Sequence, residues 1–146
     1  MKTSLQDLNG HLFDQLARLS KEGADEEAVL TEIRRTTGIA HTAERVIRNA
    51  QLVIKAQQVG QPVDPGQFEL NNILFLAIER LSDDDLTVEE ITTEVDRAQS
   101  VNQLADCVTA NNALFIKARE LARSGLSQLT ADKTGHLLCL EDNSRG

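Results

Sequence analysis

Aromatic residues and cysteines are scarce in this chain, and long apolar runs are missing. The 146 residues include no Trp, no Tyr and four Phe, so an aliphatic core is expected, and a platform of aromatic side chains for stacking on nucleic acid bases is disfavoured. The two cysteines, Cys107 and Cys139, do not form a disulfide framework, which is typical of a reduced compartment. No apolar run approaches the ~20 residues of a membrane span, and the first residues lack the apolar core of a signal peptide. We therefore expect a cytoplasmic protein without a membrane segment.

Motifs of catalysis and of metal binding are missing as well. The chain holds no glycine-rich phosphate loop, no Gly-x-Ser-x-Gly and no His-Glu-x-x-His. His136 and Cys139 have the spacing of half a metal site, but a structural zinc ion needs four ligands, and Cys107 does not complete the set. The sequence therefore predicts a protein that is not an enzyme and that has no cofactor and no metal site.

An internal repeat is the most informative feature that is present. When the sequence is shifted by 62 positions, residues 8–58 align with residues 70–120 without a gap, and 18 of the 51 pairs are identical. A match that keeps its register over this length indicates duplication. In both copies apolar residues recur at steps of three and four, which is typical of a helix with one apolar face. They are Leu5, Leu8, Leu12, Leu16 and Leu19 in the first copy, and Leu70, Leu74, Ile78 and Leu81 in the second.

Each copy is predicted to be a helical hairpin with a short helix, a polar loop and a long helix. Hairpin 1 covers residues 1–60, a linker with both prolines of the chain covers 61–67, hairpin 2 covers 68–125, and a tail covers 126–146. The first helix is expected to begin at Thr3 or Ser4, where Thr3 and Gln6 have the spacing of a capping box. The second long helix is expected to begin with a capping box of Thr87 and Glu90.

A lone hairpin leaves its apolar face in water, and two hairpins can bury these faces together. The sequence therefore predicts an all-α fold, in which the duplicated hairpin forms a four-helix bundle with approximate internal two-fold symmetry. An elongated antiparallel coiled coil is the alternative. In either case the seam of the first long helix is predicted to consist of Val29, Ile33, Thr36, Ala40, Ala43, Ile47, Ala50 and Ile54.

The net charge of −8 lies entirely in the second half of the chain. Residues 1–62 hold eight acidic and eight basic residues, whereas residues 63–146 hold 15 acidic and seven basic residues. Eight acids and one base fall within residues 79–96, and the acids are Glu79, Asp83, Asp84, Asp85, Glu89, Glu90, Glu94 and Asp96. We interpret them as a surface that binds a protein partner with a basic surface. The competing interpretation is that these acids stabilise a helix start and keep the protein in solution.

Basic residues cluster on the first long helix and compete with the acidic segment as a binding surface. They are Arg34, Arg35, Arg45, Arg48 and Lys55. Acidic residues are interleaved with them, and the pI of the chain is about 4.8. A nucleic-acid-binding helix would show a basic excess, so we expect no direct binding to nucleic acid.

A pair of asparagines occupies the same repeat position in the two copies. Asn49 and Asn111 lie beside the apolar stripe of each long helix. A polar residue at such a position can set the register of two helices by pairing across a seam. We predict that role for both residues; a place in the lining of a ligand site is the alternative.

The two short helices differ at positions that bear on their surfaces. His11 and Asp14 of the first copy correspond to Ile73 and Leu76 of the second, which widen the apolar face of that helix. Ile73 and Leu76 are predicted to be covered by Leu137, Leu138 and Leu140 of the tail, or to form an intermolecular surface. A homo-oligomer is therefore left open.

The start of the chain reads Met1-Lys2-Thr3-Ser4-Leu5-Gln6-Asp7-Leu8-Asn9, followed by His11-Leu12-Phe13 and Gln15-Leu16. It resembles small proteins carried by tailed phages and prophages of enteric bacteria, and the resemblance extends to the second copy through the repeat. The resemblance implies a phage setting inside the host cell and carries over no catalytic or binding residue. We expect a phage or prophage accessory protein that binds a protein partner, such as a host factor or a host-defence component, through its acidic surface. A DNA-packaging or virion-assembly accessory that acts by oligomerisation is the alternative.

Overall fold

A computed structural model describes residues 3–21 and 23–124, which form four helices. They are α1 (Leu5–Leu19), α2 (Glu26–Gln58), α3 (Pro65–Leu81) and α4 (Val88–Arg123). The described residues contain no strand, so the predicted all-α fold is confirmed. The short helices end 62 residues apart and the long helices begin 62 residues apart, which is the offset of the sequence repeat. None of the helices in this part of the chain carries an apolar stretch that could cross a membrane.

The first short helix has its N-cap at Ser4, one of the two expected positions, but with a different capping box, and the second begins earlier than expected. The backbone N–H of Asp7 donates to the Ser4 hydroxyl, and the Asp7 carboxylate accepts from the Ser4 backbone N–H at 2.9 Å. The capping box is therefore formed by Ser4 and Asp7 rather than by Thr3 and Gln6, since an aspartate reaches back to the cap as glutamine does. α3 begins inside the predicted linker, at Pro65, because proline at the first helical position sacrifices no hydrogen bond.

The long helix α2 is continuous and ends at a glycine. Gly60 has a φ of +68°, and the N–H groups of Gly60 and Gln61 donate back to carbonyls of the last turn in the Schellman arrangement. Gly38 does not interrupt the helix, and its missing side chain lets α3 approach. A Cβ atom at Gly38 would lie 3.1 Å from the Leu81 Cδ1 atom.

The four helices pack as a bundle with α2 in contact with the other three. α3 packs against both α2 and α4, whereas α1 packs mainly against α2. The large side chains of the core are mostly aliphatic: Leu8, Ile39, Val46, Leu70, Leu74, Phe75, Ile78 and Leu81. The predicted four-helix bundle with an aliphatic core is confirmed.

The two hairpins lie side by side and point in the same direction. The Arg45 guanidinium on α2 lies 2.8 Å from the Asp106 carboxylate on α4, and farther along both helices Lys55 lies 3.3 Å from Glu120. α2 and α4 are thus parallel and nearly in repeat register. The approximate two-fold symmetry is not confirmed. A two-fold axis would make the α2–α3 and α4–α1 contacts equivalent, and among the described helices α1 and α4 are not closely packed.

The seam predicted for α2 is largely wrong. The stripe that α2 buries consists of Ile39, Thr42, Ala43, Val46 and Asn49. Val29, Ile33, Ile47 and Ile54 of the predicted seam are instead 42–53% exposed. On α4 the corresponding positions are buried at Ile91, Ala98, Ala105 and Ile116. Each long helix therefore has two apolar stripes, and α2 and α4 meet through different ones.

Candidate functional site

The eight acids identified above lie around the connection between α3 and α4, and we call them the acidic surface. They occupy the last turn of α3, the loop and the first turns of α4: Glu79, Asp83, Asp84, Asp85, Glu89, Glu90, Glu94 and Asp96. Glu79 and Glu94 are half-buried and the other six are exposed. The structure therefore brings the predicted residues together at one end of hairpin 2.

Two arginines of hairpin 1 fix the backbone beneath the acidic surface. Arg35 is buried and donates from Nη1 to the carbonyl of Leu81, at 2.8 Å, and to the carbonyl of Asp83. Arg18 donates from Nη2 to the carbonyl of Ser82 at 2.9 Å. The last carbonyls of a helix have no partner within the helix, so these donors complete the end of α3. Sequence reasoning missed this role, although arginine at the same position of both copies was a signal for it.

Half of the acids are used by the fold. The Asp84 carboxylate lies 2.6 Å from Arg18, and the Glu94 carboxylate lies 2.8 Å from Arg97. The Asp83 carboxylate accepts from the backbone N–H of Asp85 at 3.0 Å, which orders the loop. These contacts support the competing interpretation of the acidic segment for part of its charge.

Glu90 closes the capping box at the start of α4, as predicted. Its carboxylate accepts from the backbone N–H of Thr87 at 2.8 Å and from the Thr87 hydroxyl at 2.7 Å. The backbone hydrogen bond from Thr87 is the main cause that lowers the pKa of Glu90, and the hydroxyl hydrogen bond adds to it. Glu90 is thus committed to the helix start.

The carboxylates of Glu79, Asp85, Glu89 and Asp96 have no ion pair or hydrogen bond within residues 3–21 and 23–124. Asp85 and Glu89 flank the start of α4, and Asp96 lies two turns beyond Glu89 on the same face. Three exposed carboxylates in this arrangement repel one another and attract a cation or a basic group. These carboxylates carry the negative charge of the acidic surface that no contact within the described residues neutralises.

Four of the five basic residues of the α2 cluster form contacts with other helices. Arg35 is buried under the α3–α4 loop, and Arg45 and Arg48 lie 2.8 and 3.6 Å from Asp106. The hydrogen bond to Asp106 is the main cause that raises the pKa of Arg45. Lys55 pairs with Glu120, as described above. Arg34 is exposed and has no ion pair or hydrogen bond within the described residues.

The two asparagines at the shared repeat position have different environments. Asn49 is buried and its Nδ2 donates to the carbonyl of Gln67 at 2.7 Å, which ties α2 to the first turn of α3. Asn111 is exposed and lines a cleft that includes Pro62 and Phe115. Asn49 thus joins two helices, which is compatible with the expected register role, whereas Asn111 forms no hydrogen bond across a helix contact within the described residues.

Ile73 and Leu76 lie on the surface of α3. Ile73 is 44% and Leu76 39% exposed to solvent in the absence of any partner chain. The predicted contacts from Leu137, Leu138 and Leu140 lie outside the described residues, as do His136 and Cys139. The part of the chain that the structure describes contains no group of His, Cys, Asp or Glu residues that could hold a metal ion.

Comparisons of the chain with models of protein families, with curated proteins and with solved structures found no match.

Proposed function

We propose that this chain is a non-enzymatic accessory protein that binds a partner protein through the acidic surface, and that the partner presents a basic surface. The phage or prophage setting that the start of the sequence implies is part of the proposal, with a host factor or a host-defence component as the partner. The cytoplasm of the host cell is then the place of action.

The observation that carries the proposal is the exposed charge left over after folding. Asp85, Glu89 and Asp96 are exposed at one end of hairpin 2 and bind no base within the described residues. By contrast, the basic side chains of α2 that lie near hairpin 2 form ion pairs with acidic side chains of α4. An acidic surface without internal counter-charges attracts a basic partner over about a Debye length and raises the association rate.

The rigid position of these carboxylates also favours binding. Arg18 and Arg35 hold the loop backbone, and Thr87 caps α4, so that Asp85 and Glu89 are presented from a fixed framework. Binding to this ordered segment therefore costs less conformational entropy than binding to a flexible acidic tail, which would have to become ordered in the complex.

The test is affinity capture from lysate of an enteric bacterium, with identification of the bound proteins by mass spectrometry. The test variant carries Asp85→Asn, Glu89→Gln and Asp96→Asn, which remove three charges without touching Asp84, Glu90 or Glu94. Capture by the wild type is expected to decrease between about 0.05 and 0.5 M salt, because salt screens charges across an interface. The neutralised variant is expected to lose the same proteins at low salt, with an association rate reduced about tenfold or more for the isolated partner.

A matched control removes three exposed charges from hairpin 1 by Asp14→Asn, Glu26→Gln and Glu27→Gln. Glu27 is the repeat counterpart of Glu89. The control is expected to retain the captured proteins. Equal capture by the neutralised variant and the wild type, or equal loss in both variants, would show that the acidic surface serves only solubility.

A second candidate function, an assembly accessory that acts by oligomerisation, is favoured by a separate observation. Ile73 and Leu76 of hairpin 2 are exposed, and so are Phe13 and Leu16 of hairpin 1, at 69% and 58%. Large apolar side chains exposed on two sides of a small bundle are typical of protein–protein contacts.

A further inference from the structure

Identical or similar residues of the two hairpins have opposite exposure. Phe75 is 0% exposed on α3, whereas its repeat counterpart Phe13 is 69% exposed on α1. Val46 is 1% exposed on α2, whereas its counterpart Val108 is 42% exposed on α4. Each hairpin therefore has two apolar faces. Hairpin 1 buries one of them and exposes the other, whereas hairpin 2 buries the face that is exposed on hairpin 1 and exposes the face that is buried there.

These two exposed surfaces can be defined residue by residue. The hairpin 1 outer face consists of Phe13, Leu16, Ile33, Ile47 and Ile54, whose counterparts on hairpin 2 are buried or half-buried. The hairpin 2 outer face includes Ile73, Leu104 and Val108, whose counterparts on hairpin 1 are buried or half-buried. The two hairpins thus contact each other through two different faces. One copy of each face remains on the surface of the molecule, one on hairpin 1 and the other on hairpin 2.

Among the described residues, five side chains donate hydrogen bonds to backbone carbonyls across the contact between the hairpins. Arg18 donates to Ser82, Arg35 to Leu81 and Asp83, Asn49 to Gln67 and Asn71 to Thr3. These four lie at the first turn and the last turn of α3, and the fifth donor, Arg123 at the end of α4, binds the Val59 carbonyl. Together with the ion pairs between α2 and α4, they position hairpin 2 on hairpin 1.

The four donors within the aligned repeat are identical in the other copy, whereas the position that corresponds to Arg123 holds Gln61. The counterparts of Arg18, Arg35, Asn49 and Asn71 are Arg80, Arg97, Asn111 and Asn9, which are all exposed. Only 18 of the 51 aligned pairs are identical, so retention of all four is more than general similarity would leave. Within the described residues these counterparts bind no backbone carbonyl across a helix contact, although the Arg97 guanidinium pairs with Glu94.

We propose that the hairpin 2 outer face binds the hairpin 1 outer face of a second copy of this chain, so that α1 of the second copy packs on α4 as α3 packs on α2. Asn111 then donates to the Leu5 carbonyl and Arg97 to the Leu19 carbonyl of the second copy, by the repeat register. The internal contact between the hairpins continues from one molecule to the next.

The apolar surfaces agree with this register. The ring of His11 lies 6.5 Å from that of Phe75 across the internal contact, and the equivalent pair between molecules is Ile73 and Phe13. Thr42 accepts a hydrogen bond from Asn102 at 3.2 Å within the molecule. The equivalent pair between molecules is Leu104 and Ala40, so a large apolar side chain packs there against a small apolar one. Both replacements bury apolar surface without leaving a polar group unpaired.

Three features of the internal contact are not repeated. The ion pair of Arg45 and Asp106 has Cys107 and Glu44 in its place, and the ion pair of Lys55 and Glu120 has Lys117 and Gln58. Ser100 takes the place of Gly38, whose missing side chain makes room for Leu81. The contact between molecules therefore lacks both ion pairs and is tighter around Ser100. We expect an association that is weaker than the internal contact and depends on protein concentration.

Because the contact joins two different faces, two molecules joined by one such contact still have one free copy of each face. A heterologous contact of this kind generates a ring when the rotation per copy closes and an open stack when it does not. The expected species are therefore a closed ring or an open stack, and they form without any change in the fold of the chain.

The test begins with one charged substitution on each outer face, Phe13→Glu and Leu104→Glu. Both side chains are 69% exposed, so each variant is expected to fold, which circular dichroism verifies. Leu16→Glu and Val108→Glu provide a second pair should either variant misfold. Sedimentation velocity over roughly 1 μM to 1 mM, a range that spans the affinity of transient contacts, is expected to show a mass that rises above that of the monomer for the wild type and a monomer for each variant.

Leu30→Glu is the matched control. Leu30 is 52% exposed, and its counterpart Thr92 is exposed too, so this position faces no hairpin in either copy. The control is expected to associate like the wild type.

Mixing the two variants gives the decisive measurement. The Phe13→Glu chain keeps an intact hairpin 2 outer face, and the Leu104→Glu chain keeps an intact hairpin 1 outer face. An equimolar mixture is therefore expected to form a one-to-one dimer and nothing larger. A contact between two copies of the same face would leave each variant either fully associated or fully monomeric, with no complementation.

A wild type that stays monomeric throughout, a mixture that stays monomeric, or a loss of association in Leu30→Glu overturns the proposal. If the wild type is monomeric and removal of residues 125–146 makes it associate, the tail and not a second copy occupies the outer face.

Discussion

Replacing Arg35 with alanine tests whether the two hairpins use the same residue differently. The Arg35 side chain is 6% exposed, and its guanidinium binds the carbonyls of Leu81 and Asp83 and lies 3.5 Å from Glu32. The side chain of its counterpart Arg97 is 50% exposed and pairs only with Glu94 among the described residues. The same substitution in the same repeat position thus removes a buried donor in one copy and a surface ion pair in the other.

The expected magnitudes follow from these contacts. A hydrogen bond from a charged donor contributes about 1.5–3 kcal/mol, and an unpaired buried acceptor costs about 1–3 kcal/mol. We expect Arg35→Ala to lower the free energy of unfolding by about 3–5 kcal/mol, a large part of the ~5–15 kcal/mol of a typical domain. Arg97→Ala is expected to cost about 0–1 kcal/mol, as exposed ion pairs do.

Urea unfolding followed by circular dichroism measures both values, at a protein concentration low enough for the chain to be monomeric. Arg35→Lys keeps the charge, but its shorter side chain lacks the planar guanidinium that places Nη1 between the two carbonyls, so an intermediate loss is expected. Similar losses for Arg35→Ala and Arg97→Ala, or a loss below about 1 kcal/mol for Arg35→Ala, would refute the role assigned to Arg35 at the end of α3.

Two further substitutions test the packing and the helix start. Ile78→Ala should destabilise the monomer by about 2–5 kcal/mol because Ile78 is 0% exposed. Leu16→Ala at the same repeat position should change stability by about 0.5 kcal/mol or less, because Leu16 is exposed. Equal losses in urea unfolding would contradict the different burial of the two positions. Glu90→Gln should make stability less dependent on pH in the acidic range. The pKa of Glu90 is lower in the folded chain than in the unfolded chain, so the wild type gains stability from ionised Glu90 above the ordinary carboxyl pKa and loses it as the pH falls through the lowered pKa. Thermal melts of Glu90→Gln and of the control Glu89→Gln from neutral pH to about pH 3 compare the two positions, and an unchanged acid dependence in Glu90→Gln would contradict the assignment.

The clustering of the acids could be predicted from the sequence, whereas the contacts that they form could not. The concentration of acids in residues 79–96 is visible in the sequence, and the structure places them around one loop. Which carboxylates the fold uses depends on partners that are far away in the chain. Arg18 is 66 residues from Asp84, and no local pattern shows that these two side chains meet.

The sequence by itself determined the helices, their order and the repeat. Capping residues, linker prolines and apolar spacing act within a few residues, so the start of α4 at Thr87 and the near-identical helix boundaries of the copies could be predicted. The tertiary structure decided which apolar stripe each hairpin buries. Phe13 and Phe75 have matching sequence surroundings and opposite exposure, because only one face of each hairpin finds a partner within a chain of two copies. Duplication gives both hairpins the same two faces, and the choice between these faces is made by the packing of α3 against α2.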